Sequence, residues 1–481
     1  MIAEGNSMKD AILKRLEEIV GGDNLITETR LLSRHSVDGI APDAVVAPGS
    51  VQEMAHVVRA VAEDNLATVV WGGGTKIGIG HRPERMDIVL STLRLDKVID
   101  MDTANLTVTA QAGVRFADLQ SALRGEENRC YLPVSSNGQK EHEVCSEREH
   151  MGCFVPLDPP FGDTATLGGI VAANSSGPRR LLYGTVRDML LGVRYVNPEG
   201  KVIGMGGKTV KNVSGYDVSK LMIGSMGTLG VLCEMTFRLL PLPERSATTV
   251  IAFASMDKAF SLVQSILASK LTPAAVELFD TQSAISSSVL LQDIAENARY
   301  FVAVLAEGAT EEVERIRSDT ISMGTEAGST AQLDLENEAH LSFWNSYGAI
   351  TNRAADDLSP SLVLRLSSPI SRLKDLLTKA IGEARELGFD TGVLAHAGSG
   401  VGRVVVRDRP QKDGVLKWIG RLLESCISIG GNFVVERAEY EWKTELPIWG
   451  VARPEQDIIR RIKEQVDPKR IFSPGRYIGG I

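Results

Sequence analysis

The chain has 481 residues, 43% of them hydrophobic, with a formal net charge of -9. That length holds about three domains of ordinary size with ample core. The acidic balance and the lack of any run of Lys and Arg speak against nucleic acid as a partner.

At the N-terminus Met1 to Asp10 lacks a positive start followed by an apolar run, so it does not read as a signal peptide. From Asp10 to Val20 the residues Ile12, Leu13, Leu16, Ile19 and Val20 share a helical face. No apolar stretch approaches the roughly 20 residues needed to span a bilayer, so membrane association is expected only through a partner. Five cysteines, an odd number, fit a reducing compartment better than a disulfide framework, and the expected location is the cytoplasm.

Ser50 and Glu53 form a capping box for a helix with Met54, Val57, Val58 and Val61 on one face. A buried strand, Ala67 to Trp71, then runs into Gly72, Gly73 and Gly74, where backbone amides can close around an anion such as a pyrophosphate. A tight turn explains the three glycines equally well. Leu106 to Gln111 reads as a strand and Phe116 to Leu123 as a short helix. Gly125 to Phe161 is a long polar connection of the kind that forms lids or partner surfaces. It contains Cys130, Cys145, Cys153, His142 and His150, whose spacing is not the short paired pattern of zinc or iron-sulfur sites. Cys233 and Cys426 lie in apolar segments and are expected to be buried.

The small residues of Gly162 to Gly177 suggest a turn packed on a short helix, a second candidate cofactor wall. Gly224, Gly227 and Gly230 recur at a spacing of three just before the strand Val231 to Leu239, where backbone can approach a flat ligand closely. Taken with the Gly72 loop, they suggest a flavin site.

Pro241 and Pro243 mark a domain edge near Glu244. Beyond it the strands Thr248 to Phe253, Tyr300 to Ala306, Leu362 to Leu366, those around Val393 and Val404, and Phe433 to Glu436 are expected. They alternate with helices Lys258 to Ala268, Glu311 to Ser322, Ile370 to Leu387 and Val415 to Ile429. The pattern suggests an antiparallel sheet with helices on one face.

Pro42 to Pro48, the Gly72 loop, Thr166 to Gly177, Asp217 to Glu234 and the ending Asp467 to Gly475 together resemble FAD-linked oxidases of the vanillyl-alcohol oxidase and p-cresol methylhydroxylase type. Lys211 to Asp217, Trp449-Gly450 and the tail to Ile481 are similar to the flavin subunits of the glycolate-oxidase branch. The resemblance implies an α+β protein. Its expected parts are a helical lead-in over 1–40, a two-part FAD-binding domain of the PCMH type over 41–244 with the insertion 125–161, a C-terminal antiparallel-sheet cap domain over 245–465, and a tail, 466–481, returning to the FAD domain.

It also implies FAD, with its pyrophosphate at Gly72, Gly73, Gly74, Thr75 and Lys76 and with Gly78 close by. The opposite wall would comprise Asp163, Thr164, Thr166, Leu167, Gly168, Gly169, Asn174 and Gly177. Gly224, Gly227, Thr228, Leu229, Gly230 and Val231 would run along the adenine and isoalloxazine side. Some family members attach flavin through a histidine in or just before the loop. Asp64 to Trp71 contains none, so FAD is expected to be non-covalent, and His81 reads as an exposed turn histidine.

The family's chemistry is hydride removal from the carbinol carbon of a 2-hydroxy acid, which needs a cation for the carboxylate and a base for the hydroxyl proton. Metal-dependent relatives use a His-Ala-Gly-Asp-Gly-like segment carrying a second histidine, and a later Glu-His pair. Here His396-Ala-Gly-Ser-Gly-Val-Gly-Arg403 and Glu436-Arg437 put arginine at both other imidazole positions, and guanidinium cannot ligate a metal. No metal is expected. Arg403 and Arg437 would clamp a carboxylate, or else pair with Glu436 in an inactive site.

Three readings stay open. The first is an FAD-binding subunit of a 2-hydroxy-acid dehydrogenase complex, with a homologous flavin subunit and an iron-sulfur subunit as partners, at the inner membrane face through them. The second is a self-contained flavin dehydrogenase. The third is a non-catalytic flavin-binding assembly subunit.

Overall fold

The computed structural model describes residues 2–125, 152–208, 217–285, 291, 294–349 and 360–481. Cys130, Cys145, His142 and His150 lie outside them, as do most of the 125–161 connection and Lys211 to Tyr216.

Two sheets build the N-terminal half. In the first, β1 (Leu25–Ile26), β2 (Ala44–Val46), β3 (Thr68–Trp71) and β4 (Ile88–Ser91) lie in the order β1-β2-β4-β3, the last three parallel. Helix Val51–Glu63 crosses from β2 to β3, and Met54, Val57, Val58 and Val61 are fully buried against the sheet. The expected cap is present, with the Glu53 amide donating to Ser50 Oγ at 3.1 Å. The Gly49 amide donates to the Glu53 carboxylate at 2.8 Å, so the returning bond of the box goes one residue upstream.

The second sheet is antiparallel. Its strands β5 (Val98–Asp102), β6 (Thr107–Gln111), β8 (Leu190–Val196), β9 (Val202–Gly206) and β10 (Val231–Arg238) lie in the order β5-β6-β10-β8-β9. The short pair β7 (Cys153–Phe154) and β11 (Leu240–Pro241) stands apart, which accommodates Pro241 at a sheet edge. Cys153, grouped by sequence with a polar stretch, is buried in the core with Val155 and Leu239.

Eight antiparallel strands form the C-terminal sheet: β12 (Arg245–Phe253), β13 (Ala275–Asp280), β14 (Tyr300–Gly308), β15 (Ala331–Leu335), β16 (Leu362–Ser367), β17 (Thr391–His396), β18 (Val401–Val406) and β19 (Asn432–Arg437). Their order is β15-β12-β14-β13-β17-β18-β16-β19. Helices Met256–Ala268, Thr310–Glu326, Leu373–Glu386 and Lys412–Ile429 cover one face, where Leu278, Val302, Leu364 and Val404 are buried. Helix Asn337–Ala349, which periodicity did not reveal, lies on the opposite face and packs Phe343 and Tyr347 on Phe279.

The C-terminal residues return to the first sheet. The Thr68 amide donates to Ile471 O at 2.6 Å, and Ile471 and Phe472 are fully buried. Lys463 anchors the turn, its ammonium donating to Asp467 at 2.6 Å, Thr228 O at 2.7 Å and Phe472 O at 2.9 Å. A buried ammonium is stable only with such a set of acceptors. Among the described residues no helix is long and apolar enough to cross a membrane.

Candidate functional site

Four chain segments meet around an open cleft. One wall is the loop Gly72 to Lys76; another is the start of helix Leu167–Ala173, through Thr166, Gly168 and Gly169. Gly227 and Gly230 supply the third wall, and Ser473 and Arg476 of the tail the fourth.

The loop turns where β3 ends, and it has no room for side chains. A Cβ at Gly73 would lie 1.8 Å from Thr164 O, and one at Gly72 would lie 2.3 Å from Thr166 Oγ1. The two walls therefore touch through backbone. Gly230 has φ +148°, and a Cβ there would meet Val196 O at 2.6 Å.

The remaining residues assigned from the resemblance do not line the cleft. Asp163 and Asn174 are exposed, and Leu167 and Val231 are core residues. The Leu167 and Gly168 amides are spent on Val114 O and Ala112 O. Thr164, Gly224, Thr228 and Leu229 support the walls from behind, Thr228 through its carbonyl bond to Lys463. Gly78 is set back, its carbonyl accepting from buried Lys443, which also pairs with Asp38 at 2.7 Å. His81, expected to be exposed, is half-buried beside Lys443, and its amide donates to Arg476 O.

Arg476 escaped the sequence reading, although Ser473-Pro-Gly-Arg476 closes the quoted tail motif one residue further on. Its Nη2 donates to Ile77 O and, at 2.8 Å, to Ile79 O, while its buried Nε has no hydrogen-bond partner. The amides of Gly73, Gly74 and Thr75 donate to no described residue. A nest of amides and an orphaned guanidinium donor on one cleft fit an acceptor-rich anionic ligand, as FAD is.

A second, smaller cavity of about 400 Å³ opens on the polar face of the C-terminal sheet, lined by Asp158, Gly177, Tyr347, His396 and Arg403 among others. Cross-strand register builds this face. Glu277 on β13 stands opposite His396 on β17, and Arg403 on β18 stands opposite Arg365 on β16. On β19, Val435 pairs with Leu364 and Arg437 with Val363, so Glu436 is the extra residue of a bulge. Bulges re-aim side chains. Here Glu436 accepts from Arg403 Nε at 2.8 Å, with Arg365 Nε 3.7 Å away.

His396, Arg403 and Glu436 are thus brought together. Arg403 Nη1 stands 3.2 Å from His396 Nε2, and the imidazole Nδ1 lies 2.8 Å from Glu277. Guanidinium only donates, so the partners assign His396 as the tautomer with Nε2 accepting and the proton on Nδ1. Tyr347 donates to the same Glu277 carboxyl at 2.6 Å. Arg437 is not in this group: burial lowers its pKa, and the charge acting on it is Glu439.

Burial raises Glu436, but Arg403, Lys76 and Arg365 together outweigh it and hold the carboxylate well below its ordinary range. Burial lowers His396 well below its usual value, with Arg180 and Arg403 adding to the effect, so the ring is neutral. Lys76 lines the cleft at the end of the glycine loop, and its charge also acts on this group. Its ammonium sits 5.5 Å from the Phe161 ring centroid, and burial lowers its pKa to about 8 against the pull of Glu436. Among the described residues no group of three or more His, Cys, Asp or Glu is placed to hold a metal ion.

The two halves are clamped beside this pocket. Arg179 Nε donates to both oxygens of Glu307 at 3.1 Å, and Tyr183 adds a bond at 3.0 Å.

Residues 42–140 and 136–206 match the FAD binding domain family, and residues 242–477 match the C-terminal domain of FAD linked oxidases. The chain is 28% identical to glycolate oxidase subunit GlcD of Bacillus subtilis over 448 residues, 90% of this chain and 88% of that one. It is 27% identical to D-lactate dehydrogenase of Archaeoglobus fulgidus, covering 90% and 91% of the two chains. With D-2-hydroxyglutarate dehydrogenase of Xanthomonas citri the identity is 26%, covering 98% and 97%. A solved structure of p-cresol methylhydroxylase superposes with a TM-score of 0.72 over 97% of this chain and 96% of that one, at 14% identity, a likeness of fold.

Proposed function

The chain belongs to the FAD-linked oxidases, carrying their FAD binding domain and C-terminal domain in that order, and from that premise we propose that it oxidises a small 2-hydroxy acid such as glycolate or D-lactate as the FAD-binding subunit of a complex. FAD is its cofactor, and when bound it supplies the two-electron oxidation by taking a hydride from the carbinol carbon. The amides of Gly73 to Thr75 and Arg476 would hold it. Relatives named as a glycolate oxidase subunit, D-lactate dehydrogenase and D-2-hydroxyglutarate dehydrogenase support the substrate class.

The observation that carries the reading is the surplus of cations on the polar sheet face. Lys76, Arg365 and Arg403 act on Glu436, and Arg180 acts with Arg403 on His396, four cations that outnumber the carboxylates of Glu436 and Asp158. A substrate carboxylate is the missing counterion. Arg403, locked between His396 and Glu436, does the orienting work that a metal does in other members. A homologous flavin subunit and an iron-sulfur subunit would take the electrons onward, in the cytoplasm or at the inner membrane face through those partners.

An anaerobic titration of the purified protein with glycolate and with D-lactate, followed by flavin absorbance, tests this. Bleaching by either acid, unchanged by a chelator, is expected. FAD released by acid precipitation would accord with non-covalent binding; flavin remaining on the precipitate overturns it. The commitment of Arg403 to Glu436 and His396 also favours a second reading, a flavin-binding assembly subunit. Flavin that no 2-hydroxy acid bleaches selects that one.

A further inference from the structure

Oxidation of a 2-hydroxy acid releases a proton from the substrate hydroxyl, and the histidine of this pocket is poorly placed to take it. His396 Nε2 already faces an Arg403 N–H at 3.2 Å, and its other nitrogen is spent on Glu277. Protonating it would put a further positive charge beside Arg180 and Arg403. Another acceptor is needed in the same cavity.

Asp158 lines that cavity with His396 and Arg403. Its Oδ2 accepts from the Arg179 amide at 2.9 Å, which fixes the carboxyl, while its Oδ1 is buried and has no hydrogen-bond partner. Gly177 makes room for this arrangement, since a Cβ there would lie 2.5 Å from Asp158 Oδ1. One oxygen is thus anchored by backbone and the other is buried without a partner, on a residue that lines the cavity.

We propose that Asp158 is the catalytic base of this site, its Oδ1 receiving the hydroxyl proton of a 2-hydroxy acid whose carboxylate lies on the arginines. The inference rests on the substrate class proposed above. The O–H bond breaks and its electron pair becomes the second carbon–oxygen bond. The proton stays on Asp158, and two electrons leave with the carbinol hydrogen as hydride to the flavin. The 2-hydroxy acid becomes a 2-oxo acid. Burial raises the Asp158 pKa to about 6 despite Arg179 and Arg180, a value suited to a base that must be free near neutral pH. Glu307 on β14 and Glu277 on β13 face it, as does Tyr347 from the helix above.

The test compares the holoprotein with Asp158→Asn, which keeps an acceptor for the Arg179 amide. Single-turnover flavin bleaching by glycolate or D-lactate should slow by about 100- to 10,000-fold in the variant, with FAD occupancy unchanged. In the parent the rate should rise with pH through the Asp158 titration. A second readout needs no turnover: the 2-oxo acid product, followed by its perturbation of the flavin spectrum, should bind the parent more tightly as pH falls through about 6. Only protonated Asp158 can donate to the product's carbonyl, and Asn donates at every pH, so binding to the variant should lose this dependence.

Asp158→Glu should restore part of the rate with a shifted pH profile. Bleaching of Asp158→Asn at the parent rate, or an intact pH profile, overturns the assignment while leaving the 2-hydroxy-acid reading in place. A parent that neither bleaches with these acids nor binds the 2-oxo acid overturns both.

Discussion

The glycine-walled cleft and the charged cavity are built by opposite means. In the cleft, backbone does the work: Gly72 and Gly73 bring two walls into contact, leaving amides of Gly73 to Thr75 as donors with one guanidinium, Arg476, beside them. In the cavity, side chains from β13, β16, β17, β18 and β19 converge, with Glu436 held by Arg403. A backbone nest tolerates no added volume and favours an anion without spending an ionised side chain. The charged face keeps its shape only while its ions stay matched.

The largest effect is expected on the charged face. Glu436→Gln leaves Lys76, Arg365 and Arg403 without their shared carboxylate, and breaking such a buried pairing costs about 3–5 kcal/mol, measurable by denaturant unfolding. The pH dependence has a definite sign. The folded-state pKa of Glu436 lies below its ordinary value of 4.5, so its contribution is full above that pH and fades as pH falls below it. The gap between parent and Glu436→Gln should therefore narrow in acid. A gap constant down to pH 3 or so would mean that Glu436 is not ionised in the pairing described.

Next is Gly73→Val. Its Cβ meets Thr164 O at 1.8 Å, so the loop must move, at a cost of about 3 kcal/mol and with a flavin to protein ratio falling toward zero. The damage comes from parting the two walls rather than from filling ligand space. Full flavin occupancy in this variant would show that the walls need not touch.

Lys76→Met sharpens the boundary between the regions. Lys76 lines the cleft with the glycine loop, while its charge also acts on Glu436. FAD affinity should stay within about threefold while oxalate, a substrate-like dianion, binds about 10- to 100-fold more weakly, the loss of one charged hydrogen bond. Oxalate binding to the parent should also weaken as pH rises through about 8, where Lys76 loses its proton. The reverse pattern, lost FAD and unchanged oxalate, would return Lys76 to the pyrophosphate.

The smallest effect is expected at Gly78→Ala. Nothing lies within 4 Å of the added methyl, so stability should change by less than about 0.5 kcal/mol and FAD binding not at all. A large loss there would mean that Gly78 itself approaches the ligand, as Ile77 and Ile79 on either side line the cleft.

The cleft was legible because its chemistry is local. Gly72 to Lys76 is one turn after one strand, and Thr166 to Gly169 is one helix start, so each wall carries its own signature. At its margins the structure differs in placement, with Leu167 and Val231 in the core and Arg476 entering from the tail. On the charged face only His396, Arg403 and Glu436 were found, through a motif departure. Glu277 sits on β13 and Tyr347 on helix Asn337–Ala349, two elements that periodicity did not reveal.

By itself the sequence determined the antiparallel C-terminal sheet and the glycine-rich turns after β3 and before β10, because these follow from patterns of adjacent residues, while the α+β class and the replacement of imidazole by guanidinium were implied by the resemblance. Only the tertiary structure decided that Lys76 packs over Phe161 with its charge acting on Glu436, that a bulge aims Glu436 at Arg403, and that Asp158, with one carboxyl oxygen unpartnered, lines the same cavity as His396. Each of these depends on strand register and on the docking of the two halves through Arg179 and Glu307. Burial then shifts the charges, and neither register nor burial is a property of neighbours along the chain.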